Sequence, residues 1–378
     1  MKILEIGKFY PPQRGGMESV LHDLATGLVG KGHEVRALVA APAGEASREE
    51  LQGVDVWRIA NWGALHSVSV CPTLPAELRS TLRDFDPDVV HLHVPHPLGA
   101  AALWLARDRR PLVVTYHSDI VRQRWLGALY RPLGERVLRR AHAIHVTSDG
   151  LVDSSPVLAR HRDRCRVIPL GVDTARWARP EPSRVQEWID HLGSSFVLFV
   201  GRLVYYKGIE VLLEAVRDTM VTVAIAGDGP MRTEWEHLAR SMGLEEQVHF
   251  LGEVDDDDLP ALYGAARAFV LPSQAASEAF GLVQLEAMAA GLPMVVSRAS
   301  AGVVSVHDGD KTAILVDRGN PLALREALVR VWEDDGLARR LGEAARARVR
   351  AFYELDHVVA RVEDLLVRAA ESGRSTAP

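Results

Sequence analysis

Phe196-Val197-Leu198-Phe199-Val200 runs into Gly201-Arg202, and after a turn ending Lys207-Gly208 the helical pattern Ile209–Val216 begins, followed by a second apolar run, Val221–Ala226. A short apolar run bounded by glycine reads as a strand buried on both faces. Strand, helix and strand in that order give two parallel neighbours joined by a crossover, with helices covering the sheet on both sides. The rhythm continues with strands expected at Val248–Phe250, Ala268–Leu271, Met294–Ser297 and Ala313–Val316. Helical patterns follow at Met231–Met242, Leu282–Ala290, Pro321–Glu333 and Leu337–Phe352.

The first half repeats the alternation. Strands are expected at Lys2–Ile6, Glu34–Val39, Val54–Ile59, Asp88–His93, Leu112–Tyr116, His142–Thr147 and Arg166–Pro169. In the helical stretch Met17–Gly30, the residues Met17, Val20, Leu21, Leu24 and Leu28 share one face. Gly171–Ser183, with Pro180 and Pro182, interrupts the rhythm and reads as a linker. At 378 residues the chain exceeds one typical core. The expected architecture is α/β: two doubly wound Rossmann-like domains, 1–175 and 184–354, facing across a cleft. The 355–378 segment carries a last helix, Leu355–Ala370, and a frayed end, Glu371–Pro378. Ligands of open parallel sheets sit beyond the carboxyl ends of the strands, so two such edges would hold a donor and an acceptor.

Composition narrows the class. A hydrophobic fraction of 47% and a charged fraction of 25% are those of a soluble globular protein. Net charge −6 counts against a nucleic-acid binder. Cys71 and Cys165 make neither a disulfide framework nor a metal cluster, and read as reduced thiols of a cytosolic protein. The N-terminus enters a strand at once, so no signal peptide is expected. No run approaches the roughly 20 apolar residues that span a bilayer, so any membrane contact is expected to be peripheral.

The chemistry concentrates in Ser277-Glu278-Ala279-Phe280-Gly281-Leu282-Val283-Gln284-Leu285-Glu286. Two carboxylates stand eight positions apart around a glycine that opens a helix. A helix N-terminus presents unpaired N–H groups and partial positive charge, which suits a phosphate. Carboxylates on either side accept hydrogen bonds from hydroxyls. A diphosphate flanked by hydroxyls describes a nucleotide sugar. As a glycosidase pair the two would lie about 12 Å apart along a helix axis, beyond the roughly 5 Å or 6.5–9.5 Å that hydrolysis requires.

Arg202 and Lys207, beside Gly201 and Gly208, stand at the expected carboxyl edge of the second sheet and could neutralise a departing diphosphate without a metal ion. An exposed basic turn is the bland alternative. Gly227-Asp228-Gly229-Pro230 either shapes a nucleotide pocket or is only a turn. Gly15-Gly16 before a helix lets backbone approach a ligand, or is a plain loop. It lacks the dinucleotide fingerprint, which removes a NAD-dependent oxidoreductase. His117 ends Leu112–Tyr116, either facing the cleft or packed and satisfied by Asp119. His91 and His93 share a strand face near His96, but no fourth ligand is visible and zinc is not expected. Asp255–Asp258 reads as the cap of a helix Leu259–Ala266 rather than a metal site. Asp119–Arg140 carries Arg122, Arg124, Arg131, Arg136, Arg139 and Arg140 among Trp125, Leu126, Leu129, Tyr130, Leu133 and Leu138. That mixture suits a membrane interface or a lipid-diphosphate acceptor, or an ordinary surface helix with a buried stripe.

Taken together, Gly15-Gly16, Tyr116-His117-Ser118-Asp119, Gly201-Arg202 with Lys207-Gly208, Ala226–Pro230 and the E-x7-E of Glu278 and Glu286 resemble the family-4 retaining glycosyltransferases of the GT-B fold. The resemblance covers nearly the whole chain. It implies that Gly16 backbone, with Gly15, meets the donor phosphate and that His117 lies near the transferred sugar. It implies that Arg202 and Lys207 bind the diphosphate, Glu278 holds sugar hydroxyls, Phe280, Gly281 and Leu282 contact sugar and phosphate through backbone, and Glu286 holds the ribose. Gly227, Asp228 and Val254 complete the donor contacts so implied. His117-Ser118-Asp119-Ile120-Val121-Arg122-Gln123 is similar to bacterial polysaccharide mannosyltransferases that take GDP-mannose and a polyprenyl-diphosphate glycan. Gln274-Ala275-Ala276 falls where the family varies and does not help to identify the donor.

The expected function is therefore metal-independent, retaining hexose transfer from a GDP- or UDP-linked sugar to a glycan or polyprenyl-diphosphate-linked acceptor, in the cytoplasm or peripherally at the inner membrane surface. A nucleotide-sugar epimerase is the alternative, and a sugar-binding module without turnover a third reading.

Overall fold

The computed structural model describes residues 1–375 apart from Arg14, His66, Ser67 and 120–123. The chain divides into two compact units, Met1–Leu170 with Leu355–Pro378, and Gly171–Glu354.

In the first unit the leading strands are β1 (Lys2–Ile6), β2 (Glu34–Ala40), β3 (Ser47–Leu51) and β4 (Val54–Ile59). A separate two-stranded ribbon pairs β5 (Ala64–Leu65) with β6 (Val68–Ser69). Then come β7 (Val89–Val94), β8 (Leu112–Tyr116), β9 (Ala143–Val146) and β10 (Cys165–Val167). The main sheet has the order β10-β9-β8-β7-β1-β2-β4-β3. Its pairings are parallel except that of the edge strand β3 with β4. Helices α1 (Gly16–Gly30), α2 (Leu74–Asp84), α3 (Pro97–Ala106), α4 (Arg124–Arg140) and α5 (Asp149–Ser154) connect the strands. Every residue of β7, β8 and β9 is buried, as central strands covered on both faces must be.

The second unit opens with α6 (Thr174–Ala178) and α7 (Pro182–Leu192). Then strand and helix alternate through β11 (Val197–Val200), α8 (Ile209–Val216), β12 (Val223–Ala226), α9 (Arg232–Ser241), β13 (Val248–Gly252), α10 (Leu259–Ala265), β14 (Ala268–Leu271), α11 (Leu282–Ala290), β15 (Met294–Ser297), α12 (Ala301–Ser305) and β16 (Ile314–Val316), before α13 (Pro321–Glu333) and α14 (Asp335–Phe352). The sheet is wholly parallel in the order β13-β12-β11-β14-β15-β16. Phe196, Phe199 and Phe269 are fully buried in it, each stabilising the unit by about 1.5–3 kcal/mol.

The last helix, α15 (Leu355–Ser375), buries Val358, Val359, Val362 and Leu366 and belongs to the first unit. Gly27 on α1 makes room for it, since a Cβ there would overlap the Val359 side chain. His33 Nε2 lies 2.7 Å from Glu363 Oε1, and Arg361 donates to the Val167 carbonyl at 2.7 Å.

Three local expectations are corrected. The stretch Gly171–Ser183, expected as a linker, lies in the second unit and contains α6, whose N-cap Asp173 accepts from the Ala175 and Arg176 amides. The expected frayed end at Glu371 is helical as far as Ser375, and 376–378 lie outside the described residues. Asp258 is the N-cap of α10 but makes no side-chain capping bond, because its carboxylate pairs with Arg184 of α7.

Candidate functional site

The second sheet reverses its winding between β11 and β14, and ligands of such sheets gather at that switch point, beyond the carboxyl ends of the strands. The loops that leave this edge carry the residues singled out in the sequence. Arg202 and Lys207 follow β11, Gly227 and Asp228 follow β12, Val254 follows β13, and Glu278, Phe280 and Gly281 follow β14.

Backbone approach explains the glycines. At Gly208 (φ 71°) a Cβ would overlap the Pro272 carbonyl, and at Gly227 (φ 127°) it would overlap that of Gly201. The turns after β11, β12 and β14 are therefore pressed together in a way only glycine allows. Hydrogen bonds fix them there: Gln274 N donates to Tyr206 O at 2.7 Å, and Leu203 N to Asp228 O at 2.8 Å.

Lys207 Nζ lies 2.6 Å from Glu278 Oε2, and both side chains are 8% exposed. Ser273 Oγ donates to the same carboxylate oxygen at 2.8 Å. Ser300 Oγ donates to the Glu278 carbonyl at 2.6 Å, and Ser297 Oγ bonds the Ser273 carbonyl. A buried carboxylate with a cation and a hydroxyl on one oxygen is held in one orientation. Arg202 is exposed and has no ion-pair partner among the described residues, so its guanidinium is available to an anion.

Gly281 (φ 73°) is the N-cap of α11 and makes no side-chain capping bond. Gln284 N donates to the Gly281 carbonyl at 3.0 Å, and the Leu282 and Val283 amides are left for another acceptor. Phe280 is buried against Tyr353, ring centroids 6.3 Å apart, and Leu282 begins the helix. Gln284 bonds the Phe280 carbonyl through Nε2 and meets His307 Nε2 at 2.8 Å through Oε1. Burial brings the His307 imidazole down to about 3. Glu286, half-buried one further turn along, accepts from the Tyr263 hydroxyl at 2.8 Å. Burial, then the Glu286 charge, holds that phenol well above its usual range. The two carboxylates of the E-x7-E segment therefore have different surroundings, one salt-bridged at the foot of the helix and one braced by a phenol. Val254 is buried, and Asp228 is exposed with Arg232 Nη1 3.8 Å away.

In the first unit Gly16 begins α1 and Gly15 is its N-cap. His117 follows β8, and its backbone amide donates to Val94 O at 3.0 Å. Asp119, its partner in the packed alternative, is engaged elsewhere, by the Tyr116 and Ser155 hydroxyls. His117 Nε2 instead meets His93 Nδ1 at 3.0 Å, and both rings are buried. Burial, followed by the neighbouring histidines, keeps His117 well below the usual imidazole range. The sequence reading left out Glu5, which lies beside His91 and His93. Of the basic segment, Tyr130 and Leu133 pack on the core and Leu138 is buried. Residues 120–123 and the side chains of 124–129, including Arg122, Arg124, Trp125, Leu126 and Leu129, lie outside the described residues.

A family description for glycosyl transferases group 1 matches residues 186–348, and one for glycosyltransferase family 4 matches residues 14–176. O-antigen chain mannosyltransferase C of Escherichia coli is 31% identical over 373 residues, 98% of this chain and 100% of that protein. The chain belongs to the family-4 glycosyltransferases. D-rhamnosyltransferase WbpZ of Pseudomonas aeruginosa is 40% identical to this glycosyltransferase over 266 residues, 70% of either chain. A structure of Anabaena HepE in complex with UDP-glucose has the same fold, with a TM-score of 0.80, 22% identity and coverage of 97% of this chain and 100% of that one. The two doubly wound units are those of the GT-B fold. The chain is thus a glycosyltransferase of glycan biosynthesis, and neither relative supports the epimerase alternative. Among the described residues no helix is long and apolar enough to cross a membrane.

Proposed function

We propose that this glycosyltransferase moves mannose from GDP-mannose, with retention of configuration, to a glycan carried on polyprenyl diphosphate. The observation that carries the reading is the arrangement at the switch point of the second unit. A buried Lys207–Glu278 pair, an exposed Arg202 and the open N-terminus of α11 converge there on one sheet edge.

In this reading Arg202, Lys207 and the Phe280–Leu282 backbone stabilise the leaving diphosphate, so that no metal ion is required. Glu278 holds sugar hydroxyls and Glu286 the ribose, while Gly227, Asp228 and Val254 line the nucleoside. The 184–354 segment is then the donor domain and 1–175 the acceptor domain, where Gly15 and Gly16 meet the donor phosphate and His117 a sugar hydroxyl. The helix of 355–378 completes the first domain. Contact with the membrane surface is peripheral, made where a lipid-linked acceptor is presented.

Support for the sugar comes from the two relatives, whose names specify mannose and D-rhamnose. Rhamnose is 6-deoxymannose, so both have the manno configuration. A 6-deoxy donor is the second reading, favoured by the 40% identity of the rhamnosyltransferase. Incubation with GDP-mannose, GDP-rhamnose and UDP-glucose, each with and without a polyprenyl-diphosphate glycan and with a chelator present, tests it. Acceptor-dependent release of GDP from GDP-mannose and an α-linked product are expected. Turnover of UDP-glucose alone, or loss of turnover on chelation, overturns it.

A further inference from the structure

Six side chains of the first unit form one continuous hydrogen-bonded line beneath the carboxyl edge of its sheet. The parallel register sets Glu5 of β1 opposite His91 of β7, and His91 and His93 opposite Val113 and Thr115 of β8. His117 Nε2 lies 3.0 Å from His93 Nδ1, and His93 Nε2 lies 3.1 Å from Glu5 Oε2. His91 Nδ1 lies 2.9 Å from Glu5 Oε1, and His91 Nε2 2.7 Å from Thr115 Oγ1. Thr115 Oγ1 lies 2.9 Å from His145 Nδ1, and His145 Nε2 2.8 Å from the Ile168 carbonyl. All six side chains are buried.

With the rings oriented as assigned, the protons can be placed from one end. A carbonyl only accepts, so His145 donates through Nε2. Burial brings the His145 imidazole down to about 3, so its Nδ1 is bare and accepts from the Thr115 hydroxyl. That hydroxyl has one proton, already used, and therefore accepts from His91 Nε2–H. Next in the line, His91 Nδ1 meets Glu5, whose carboxyl, despite burial, the two histidines bring down to about 2. The second carboxylate oxygen of Glu5 is an acceptor, and His93 donates to it through Nε2. Burial also lowers the His93 imidazole, which leaves its Nδ1 bare and able to accept only from His117 Nε2–H. The remaining polar atom of the His117 ring, Nδ1, has no hydrogen-bond partner among the described residues.

We propose that Glu5 is a positioning residue that, through His93, fixes the Nε2–H tautomer of His117 and so makes its Nδ1 an acceptor for a donor-sugar hydroxyl. The proposal rests on the placement of His117 near the transferred sugar given above. It assigns a task to a buried acid and two histidines that touch no substrate.

The test uses protein labelled with ¹⁵N-histidine, the His117 ring signals being assigned by their loss in His117→Gln. In the free enzyme at neutral pH, His117 is expected to show an unprotonated Nδ1 and a protonated Nε2; the opposite tautomer overturns the proposal. Glu5→Gln is expected to keep this tautomer and to leave kcat/KM within about threefold. Its amide N–H can donate to His91 Nδ1, and its amide oxygen still accepts from His93. Glu5→Met removes that acceptor, and the His117 tautomers are expected to mix, with kcat/KM falling about two- to tenfold as the competent fraction drops. If Glu5→Met does not fold, the wild-type and Glu5→Gln spectra still decide. A Glu5→Gln spectrum with the tautomer lost overturns the role of Glu5. No transfer from any manno-configured donor, with the tautomer as stated, overturns the functional reading and leaves the relay intact.

Discussion

Lys207 and Glu278, 71 positions apart, form a buried salt bridge of 2.6 Å that ties the turn after β11 to the turn before α11. A buried pair of this kind offers little stability over well-packed apolar residues, but removing one partner strands the other charge. Lys207→Met alone is therefore expected to destabilise the fold by about 3–5 kcal/mol. Lys207→Met/Glu278→Leu should recover most of that loss while donor binding stays absent. Urea unfolding alongside a donor titration separates the two effects. Recovery of both in the double variant would show that the pair has only a structural role.

Gly227 tests the close approach of the turns. Its φ of 127° and the Gly201 carbonyl beside it exclude a side chain on two independent grounds. Gly193 also has a positive φ, 87°, but open space around it. Gly227→Ala is expected to cost at least about 2 kcal/mol more than Gly193→Ala in thermal unfolding. Equal losses would mean that the contact with Gly201 relaxes without cost.

Acid should destabilise the fold well before ordinary carboxylates titrate. Burial brings His96 down to about 4 and His145 and His307 to about 3, from an ordinary value of 6.5. The folded rings stay neutral while the unfolded chain takes up protons below about 6.5. Their contribution is thus complete above that pH and is lost as the pH falls toward 3–4, at about 1.4 kcal/mol per pH unit for each ring. Glu5 acts in the same sense at lower pH. Burial would raise its carboxyl, but His91 and His93 outweigh burial and bring it from 4.5 to about 2. Its contribution is present above about 4.5 and lost between there and about 2. The urea midpoint is expected to drop clearly between pH 7.5 and pH 5.5, and an unchanged midpoint would contradict the neutral buried histidines.

Much of the architecture is legible in local pattern. Lys2–Ile6, Val54–Ile59, Leu112–Tyr116, Ala268–Leu271 and Met294–Ser297 are strands with the expected bounds, as Ile209–Val216, Leu282–Ala290 and Pro321–Glu333 are helices. A buried parallel strand must be continuously apolar, so its sequence announces it. The edge strand β3, Ser47-Arg48-Glu49-Glu50-Leu51, is charged and mostly exposed, as edge strands often are, and has no such signature.

The site divides in the same way. The turns that carry Arg202, Lys207, Gly227 and Glu278 follow apolar strands in sequence, so their shared edge follows from topology. Glu5 looks like one polar residue in a strand. Its meeting with His91 and His93 depends on pairing between segments 86 and 88 positions apart, which no local pattern encodes. Likewise Ser297 and Ser300 anchor the Glu278 turn from the next strand and the start of α12. His117 shows the cost of local reasoning: Asp119 is near in sequence, yet it binds Tyr116 and Ser155 instead.

The claim on which the rest depends is that the diphosphate of a nucleotide sugar lodges against Arg202, Lys207 and the first amides of α11. Arg202 is the cleanest probe, because it is exposed and holds no ion pair among the described residues, so its loss leaves the fold undisturbed. Calorimetric titration of GDP into wild type and Arg202→Ala at one fixed salt concentration measures it. The account predicts binding to wild type and about tenfold or weaker binding to the variant, the loss of one charge-assisted contact. Equal affinity in the two proteins would contradict it.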